Sequence, residues 1–308
     1  MAALAILLVL AAIVAAAAYA YRRLFVPDPS NRQEDFTFTP WEFQVDCEEV
    51  ELKTADGIAF GAWWFRQPAS PQVIVVSPGH KGQRQATLGI CVALWRKGFN
   101  VISYSYRGMP GSDRATVTLG IREVNELQAV VAFARQKVKG ARVALLGFSM
   151  GAVVSLLGAA GEPGVEALVL DSPFAELRKL LRERIRKVFK VPGPEYAITA
   201  LVEAWFRIRT GETLNDAAPL HVLSALEPRP LFFIHGGADA VTSVQHSRRL
   251  YDAYRGPREI WVVQGAPHTG AYFADRDLYV ERVAGFFGRH LGLARTSGLL
   301  RLIEDEVS

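Results

Sequence analysis

Cysteine is scarce in this sequence of 308 residues, which contains only Cys47 and Cys91. Neither cysteine belongs to a CxxC pair or to a cluster of cysteines and histidines. Structural zinc sites take such clustered ligands, so the sequence argues against a zinc site. The redox compartment stays open, because one disulfide and two small buried side chains fit the sequence equally well.

An excess of charge of one sign is also missing. The chain carries 35 lysines and arginines against 31 aspartates and glutamates, a formal net charge of +4. This charge is not concentrated enough overall to suggest nucleic-acid binding, and the sequence shows no platform of basic and aromatic side chains, so no nucleic-acid partner is expected. Hydrophobic residues make up 50% of the chain, which excludes a disordered protein and indicates a globular one.

Charge is absent altogether from residues 2–21, where nearly every residue is Ala, Leu, Ile or Val. About 20 apolar residues in a helix span the roughly 30 Å of the hydrocarbon core of a bilayer. Arg22 and Arg23 follow directly. We therefore predict a transmembrane anchor over residues 1–23, and the positive-inside rule then places the rest of the chain in the cytoplasm.

A cleaved signal peptide is the alternative for this segment. Ala18-Tyr19-Ala20 resembles a cleavage site, and cleavage there would leave a secreted protein. Signal peptides carry basic residues before their apolar run, however, and none precedes this one. The retained anchor of a single-pass membrane protein is therefore the favoured interpretation.

After the anchor, the pattern predicts a linker and one globular domain. Residues 24–44 contain several prolines and are predicted to form an extended linker. Over residues 45–291, apolar runs typical of buried strands alternate with helical spacing, and Asp56-Gly57 signals a hairpin. This alternation predicts a mostly parallel sheet covered by helices. Residues 174–228 read as a helical insertion, and residues 292–308 as a C-terminal tail.

One pentapeptide, Gly147-Phe148-Ser149-Met150-Gly151, follows a predicted strand and precedes a predicted helix of small residues. In this GxSxG setting a sharp strand-to-helix turn exposes the serine hydroxyl at the edge of the sheet. The glycines are needed because the turn leaves no room for side chains. A GxSxG sequence also arises by chance, so Ser149 as the nucleophile depends on partners elsewhere in the chain.

Two such partners follow in the expected order. A serine hydroxyl needs a base to accept its proton and a third group to orient that base. Asp239 and His268 each come just after an apolar, strand-like run. Open parallel sheets place their ligands at the carboxyl ends of strands, and GxSxG hydrolases have the chain order Ser, acid, His. We therefore predict a catalytic triad of Ser149, Asp239 and His268.

Three further segments carry a family resemblance. They are VVSPGH at residues 75–80, YRGMPGS at residues 106–112 and LDSPF at residues 170–174. The first resembles the strand and His-Gly-X segment of the alpha/beta-hydrolase superfamily, with Pro78 where that family usually has His. The second resembles its Arg-Gly-x-Gly-x-Ser loop with one residue more. The third resembles the Asp-Ser-Pro-Phe stretch of its serine-aminopeptidase-like and depalmitoylase-like branch.

The resemblance implies an α/β fold with an eight-stranded, mostly parallel sheet and a helical lid. It implies transfer of an acyl group to water, with no cofactor and no metal. An oxyanion hole is assigned to the backbone amides of His80 and Met150, which the change at Pro78 leaves in place. In the family, the Asp-Ser-Pro-Phe stretch accompanies a separate later acid. This favours Asp239 over Asp171, the rival acid at another strand end.

The other five of the six histidines are weaker candidates for the base, because they lie in helices, in the insertion or in loops. They are His80, His221, His235, His246 and His290. His235, in a turn after a strand, is expected to bond to the backbone.

These inferences predict a membrane-anchored serine hydrolase that cleaves a carboxylic ester, a thioester or an amide through an acyl-enzyme. Two alternatives stay open: an acyltransferase that uses the same triad, and a non-catalytic membrane-tethered protein that only keeps the fold. The expected partners are a small-molecule or acylated substrate and the membrane.

Residues 177–190, at the start of the insertion, predict an amphipathic helix whose polar face is mainly basic. Such a helix can lie on an anionic membrane surface. It can also pack its apolar face on the core as part of a lid, with the basic face in water. The second interpretation is favoured, because any lid helix must bury an apolar stripe.

Overall fold

The computed structural model of the protein describes residues 2–27 and residues 38–292. Residues 28–37 of the predicted linker and residues 293–308 of the predicted tail lie outside the described residues. The predicted domain limits therefore stay predictions. Within the described ranges, strands and helices alternate along the chain as the hydrophobic pattern indicates.

Eight strands form one sheet, which confirms the predicted fold class. They are β1 (Glu48–Lys53), β2 (Ala59–Phe65), β3 (Gln72–Ser77), β4 (Asn100–Tyr104), β5 (Arg142–Phe148), β6 (Val165–Asp171), β7 (Leu231–Gly236) and β8 (Arg258–Val263). Their order is β1-β2-β4-β3-β5-β6-β7-β8. The first two pairings are antiparallel and the others are parallel. The carboxyl ends of the parallel strands therefore meet at one edge of the sheet.

Helices cover both faces of this sheet. The α-helices of the described residues are α1 (Ala2–Phe25), α2 (Leu88–Arg96), α3 (Val124–Lys137), α4 (Met150–Ala160), α5 (Leu177–Phe189), α6 (Pro194–Thr210), α7 (Gln245–Ala253), α8 (Ala271–Ala274) and α9 (Arg276–Leu291). Val73 and Val75 of β3 join the apolar cluster with α3 and α4, whereas Ile74 and Val76 join the cluster with α2 and α9. Alternate side chains of a strand point to opposite faces, so a strand buried on both faces reads as a continuous apolar run.

The insertion between β6 and β7 is helical, as expected. It contains α5, α6 and two short 3₁₀ helices, Pro219–His221 and Leu223–Leu226. Three residues on one side of α5, Leu177, Leu181 and Ile185, are buried against the core. On the basic side, Arg178 forms an ion pair with Glu203 of α6. The first three turns of α5 therefore pack as a lid helix, which agrees with the favoured interpretation.

Helix α1 includes Ile6–Phe25, a segment long and apolar enough to cross a membrane or to serve as a signal sequence. Large apolar side chains in its first half, such as Leu7 and Leu8, are exposed. The helix ends at Phe25 and not at residue 23, because the apolar sequence continues and the first helix breaker is Pro27.

The second half of α1 packs on the lid. Ala17 and Phe25 are completely buried. The ring of Phe25 lies 4.6 Å from that of Phe206 in α6, and the ring of Tyr21 lies 6.2 Å from that of Trp205, measured between centroids. The predicted anchor thus ends inside the folded domain, and it is not joined to that domain by a free linker alone.

A buried ion pair fixes the loop that follows β4. Arg107 Nε lies 2.7 Å from Glu126 Oε1 of α3, and both side chains are almost completely buried. The guanidinium also binds Asp56, in the turn between β1 and β2, with a distance of 2.8 Å from Nη1 to Oδ2. The backbone amide of Arg107 donates to the same Glu126 oxygen. The arginine of the family-like loop therefore holds the loop, the hairpin and α3 together.

We predict that Arg107→Met lowers the free energy of unfolding by about 3 kcal/mol, because it leaves the Glu126 carboxylate buried without its partner. Adding Glu126→Gln should recover part of that loss, since the amide removes the charge and keeps an acceptor for the residue 107 backbone. Urea unfolding of both variants measures the two losses. Losses that add fully in the double variant would contradict this role.

Candidate active site

The strand-to-helix turn at Ser149 is held in an unusual backbone conformation. Ser149 joins β5 to α4 with φ of 53°, a value that is strained for a residue with a side chain. Its amide donates to the carbonyl oxygen of Asp171 at 2.8 Å. An added Cβ would lie 2.3 Å from the oxygen of Gly151 if placed on Gly147, and 2.2 Å from the oxygen of Ser77 if placed on Gly151. Only glycine fits at either position.

The structure brings the three predicted triad residues into one line of hydrogen bonds. His268 Nε2 lies 2.9 Å from Ser149 Oγ, and His268 Nδ1 lies 2.6 Å from Asp239 Oδ2. A carboxylate oxygen accepts, so Nδ1 carries the proton, and Nε2 is left to accept from the serine hydroxyl. Such an arrangement can remove the hydroxyl proton as the oxygen attacks a carbonyl carbon.

The surroundings of Asp239 keep its carboxyl ionised. Oδ1 accepts from the backbone amides of Val241 and Thr242, both at 2.8 Å. Burial opposes ionisation, but hydrogen bonds from His235, His268 and the backbone of Thr242 hold the pKa of Asp239 well below its usual range. An ionised carboxylate is the form that can stabilise a charged imidazole.

His235 lies within β7 and not, as the sequence analysis expected, in a turn after it, and its contact with Asp239 was missed. Its Nε2 lies 2.9 Å from the carbonyl oxygen of Thr242, as expected of a histidine that bonds to the backbone. The same nitrogen lies 3.2 Å from Asp239 Oδ2, and Nδ1 lies 2.7 Å from Ser247 Oγ. The signal was the spacing of four residues between His235 and Asp239 at the end of β7.

Asp171, the rival acid, lies at the end of β6 and not in the line of hydrogen bonds through His268. Its carboxyl is completely buried and accepts from the hydroxyls of Ser172 and Tyr279, at 2.8 and 3.0 Å. Burial raises the pKa of Asp171 to about 6, against the effect of those two bonds. Ser172 Oγ in turn accepts from the amide of Thr269, beside His268. Asp171 thus supports the histidine loop and makes no hydrogen bond to the imidazole.

The two residues whose amides are assigned to the oxyanion hole lie beside the cavity that contains the serine. His80 and Met150 line the cavity that also contains Ser149. Gly79 lies against the serine, since an added Cβ there would be 3.7 Å from Ser149 Cβ. Neither amide donates to another backbone group in the turns, loops and caps of the described residues.

The cavity above Ser149 has a volume of about 1470 Å³. Its lining is mainly apolar and comes from α1, α2, α5, α8, α9 and the loops at the strand ends, and it includes a few charged side chains such as Arg184 and Arg276. Apolar examples are Leu24, Phe174, Leu177 and Leu181. A long apolar group suits this space, because it would be removed from water against mainly apolar side chains.

The described residues offer little that favours a metal site or a reactive cysteine. Within residues 2–27 and 38–292, no three or more His, Cys, Asp or Glu side chains form a group that could hold a metal ion. Both cysteines are free. Burial raises the pKa of Cys91 to about 12 and that of Cys47 to about 11, and the thiol form is a poor nucleophile.

Comparison with known proteins finds sequence relatives and solved structures with a similar fold. A family model described as serine aminopeptidase, S33, matches residues 68–217. YqkD of Bacillus subtilis is 29% identical to this chain, and the match covers 61% of this chain and 62% of YqkD. The chain therefore spans less than two thirds of the length of that relative. YfhR of Escherichia coli K12 is 27% identical over 80% and 81% of the two chains. A crystal structure of the Pyrococcus furiosus esterase Pf2001 superposes with a TM-score of 0.70 at 23% identity, covering 87% of this chain and 98% of that one.

The raised pKa of Asp171 predicts a pH-dependent difference between the wild type and Asp171→Asn. The folded protein keeps the proton up to about pH 6, whereas an unfolded aspartate loses it near pH 4. The wild type therefore loses stability relative to the variant as the pH rises through this window, by at most about 1.4 kcal/mol per pH unit.

Urea unfolding across this window tests that expectation. Asp239→Asn is the control with the opposite sign: because the pKa of Asp239 is lowered, the wild type gains stability relative to that variant as the pH rises to about 5, and the difference is constant above. A difference between the wild type and Asp171→Asn that does not change with pH would show that the buried carboxyl titrates normally.

Proposed function

Because the chain belongs to the alpha/beta-hydrolase superfamily, we propose that it is a membrane-anchored serine hydrolase that acts on an ester or thioester with a long apolar acyl group. The observation that carries the proposal is the line of hydrogen bonds from Asp239 through His268 to Ser149 at the base of an apolar cavity. The name of the Pyrococcus furiosus relative, an esterase, agrees with it.

In the proposed reaction, Ser149 Oγ attacks the carbonyl carbon while His268 Nε2 takes the hydroxyl proton. The carbonyl oxygen becomes an oxyanion, which the amides of His80 and Met150 stabilise. The bond to the leaving group then breaks, and His268 returns the proton to the departing oxygen or sulfur. Water, activated by the same imidazole, hydrolyses the acyl-enzyme and frees the serine.

Amide cleavage is the less favoured reaction of this site. Amides must be protonated at nitrogen as they break, and peptide substrates need polar contacts to their main chain. The cavity offers mostly apolar side chains, including Leu24, Phe148, Phe174 and Leu180. An acyl chain that fills this space gains about 25 cal/mol for each Å² of apolar surface removed from water. The lining therefore favours an acyl ester or thioester.

The membrane location follows from α1 in this proposal. Its first half exposes large apolar side chains, among them Leu4, Ile6 and Leu10. Exposure of such a continuous apolar surface to water is unfavourable, and a bilayer removes it. With Arg22 and Arg23 at the domain end of the helix, the catalytic domain would lie on the cytoplasmic side.

A fluorophosphonate probe tests the nucleophile, because only an activated serine reacts with it. We expect the wild type to be labelled and to hydrolyse p-nitrophenyl esters, and Ser149→Ala to do neither. Labelling of the alanine variant at the wild-type rate would refute the assignment. A wild type that releases acyl product only when an alcohol or amine is added would instead be an acyltransferase.

Asp239 and Asp171 give a matched pair of variants that tests which aspartate is the acid of the triad. Asp239→Asn should lower kcat on the order of 10³-fold or more, since it removes the charge that stabilises the imidazolium and favours the wrong tautomer. Asp171→Asn, which makes the same change one strand away, should retain activity within about tenfold. Steady-state kinetics at neutral pH measure both. The reverse ranking would identify Asp171 as the acid.

Membrane association gives a separate prediction. The full-length protein should sediment with membranes, resist extraction by high salt and dissolve in detergent, because apolar contacts hold it. Edman sequencing or mass spectrometry of the N-terminus checks the alternative. A mature chain that starts at Tyr21 and is found in the soluble fraction would show that residues 1–20 are a signal peptide.

A further inference from the structure

The catalytic domain caps the carboxyl end of α1. The last carbonyl groups of a helix have no partner within the helix. Here the carbonyl oxygen of Leu24 lies 2.9 Å from His80 Nε2, and that of Phe25 accepts from the amide of Val117 at 3.2 Å. A helix that only tethered the domain would satisfy these groups with water or lipid headgroups. The two bonds join its end to two loops of the domain.

The bond from His80 to Leu24 has a defined direction. A carbonyl oxygen only accepts, so His80 Nε2 carries the proton and donates. Burial lowers the pKa of His80 to about 4, and the neighbouring charges of Lys81, Arg184 and Arg23 act in the same direction. The ring is therefore neutral at physiological pH, with its proton on the nitrogen that faces α1.

The main chain around His80 forms a tight turn beside the nucleophile. The amide of Gly82 donates to the oxygen of Gly79 at 2.8 Å, which closes a four-residue turn. Lys81 within it has φ of 59°, a conformation that disfavours residues other than glycine. Such a conformation persists only where surrounding contacts impose it. The side chain of His80 supplies one such contact.

The end of α1 is a firm attachment point for that contact. Phe25 is completely buried and packs on Phe206 of α6, while Tyr21 packs on Trp205 one turn earlier. Movement of the Leu24 carbonyl would require these aromatic contacts to break. Leu24 also lines the cavity above Ser149, so the helix end and the reacting groups share one space.

We propose that His80 is a positioning residue: its side chain, bound to the Leu24 carbonyl, holds its own backbone amide in place as an oxyanion donor. The end of α1 is then a working part of the active site as well as a membrane attachment. This proposal rests on the proposed hydrolase function, because it assumes that Ser149 generates an oxyanion at this point.

The test compares two substitutions in the full-length protein in detergent micelles. His80→Gln keeps an N–H donor at the position of Nε2, whereas His80→Leu keeps bulk and loses the donor. A fluorophosphonate titration first counts the reactive sites in each preparation. Hydrolysis of a short-chain p-nitrophenyl ester then gives kcat for each titrated site, and KM.

We expect His80→Leu to lower kcat per titrated site by at least about tenfold, with little change in KM, because loss of one oxyanion donor costs about 10² to 10³ in rate. His80→Gln should restore most of that loss. Affinity for an alkyl trifluoromethyl ketone, which forms an oxyanion on the serine, should fall in parallel with kcat. A merely structural histidine would change the number of titrated sites and leave both quantities unchanged.

A double-mutant cycle of His80→Leu with Phe25→Ala tests whether His80 acts through its bond to the end of α1. Both changes loosen the contact at Leu24, so their effects on kcat per site should combine to less than their product. The proposal is overturned if His80→Leu keeps wild-type kcat per site, if His80→Gln and His80→Leu are equally impaired, or if the two effects multiply. A wild type that neither reacts with the fluorophosphonate nor hydrolyses ester would refute the hydrolase function itself.

Discussion

The active site depends on one close approach of main chain to main chain, where Gly151 at the start of α4 meets the carbonyl oxygen of Ser77 at the end of β3. A single added carbon at residue 151 would lie 2.2 Å from that oxygen. This approach places the amino end of α4 beside β3 near the centre of the sheet, and the turn that leads into α4 holds Ser149 at a strained φ of 53°. The helix dipole and its free amides then face the point where negative charge would develop.

Two buried aspartates at neighbouring strand ends illustrate how environment separates the roles of identical side chains. Asp239 receives backbone amides and two histidines, which keep it ionised although it is buried. Asp171 receives only the hydroxyls of Ser172 and Tyr279, and burial raises its pKa. Opposite shifts in a pair of carboxyls are typical of sites that divide acid and base roles. In this account Asp239 carries the charge and Asp171 braces the histidine loop.

Much of this fold can be predicted from the sequence, because the residues that determine its strands and turns lie close together in the chain. Apolar runs such as that of β3 predict buried strands, and the two glycines around Ser149 predict the turn. The ends of β7 and β8 predict that Asp239 and His268 lie near the serine, since parallel strands share one edge. The contact of His235 with Asp239 was missed because a spacing of four residues, from the end of a strand into the loop after it, does not fix where the two side chains point. The attachment of α1 to the lid was missed because an apolar segment of this length has the same pattern whether it faces lipid or protein. No local pattern indicates that His80 would bond to Leu24, a residue 56 positions away.

In the proposed hydrolase, helix α1 is connected to the nucleophile and the oxyanion site, and the proposal depends first on Ser149 carrying the acyl group. Rapid acid quenching during turnover of a p-nitrophenyl ester, followed by peptide mass mapping, tests this most directly. We expect an early burst of about one equivalent of p-nitrophenol per active site, provided deacylation is the slower step, and an acyl group on the peptide that contains Ser149. An acyl group found on another residue, or hydrolysis at full rate in Ser149→Ala with no acyl-enzyme, would contradict it.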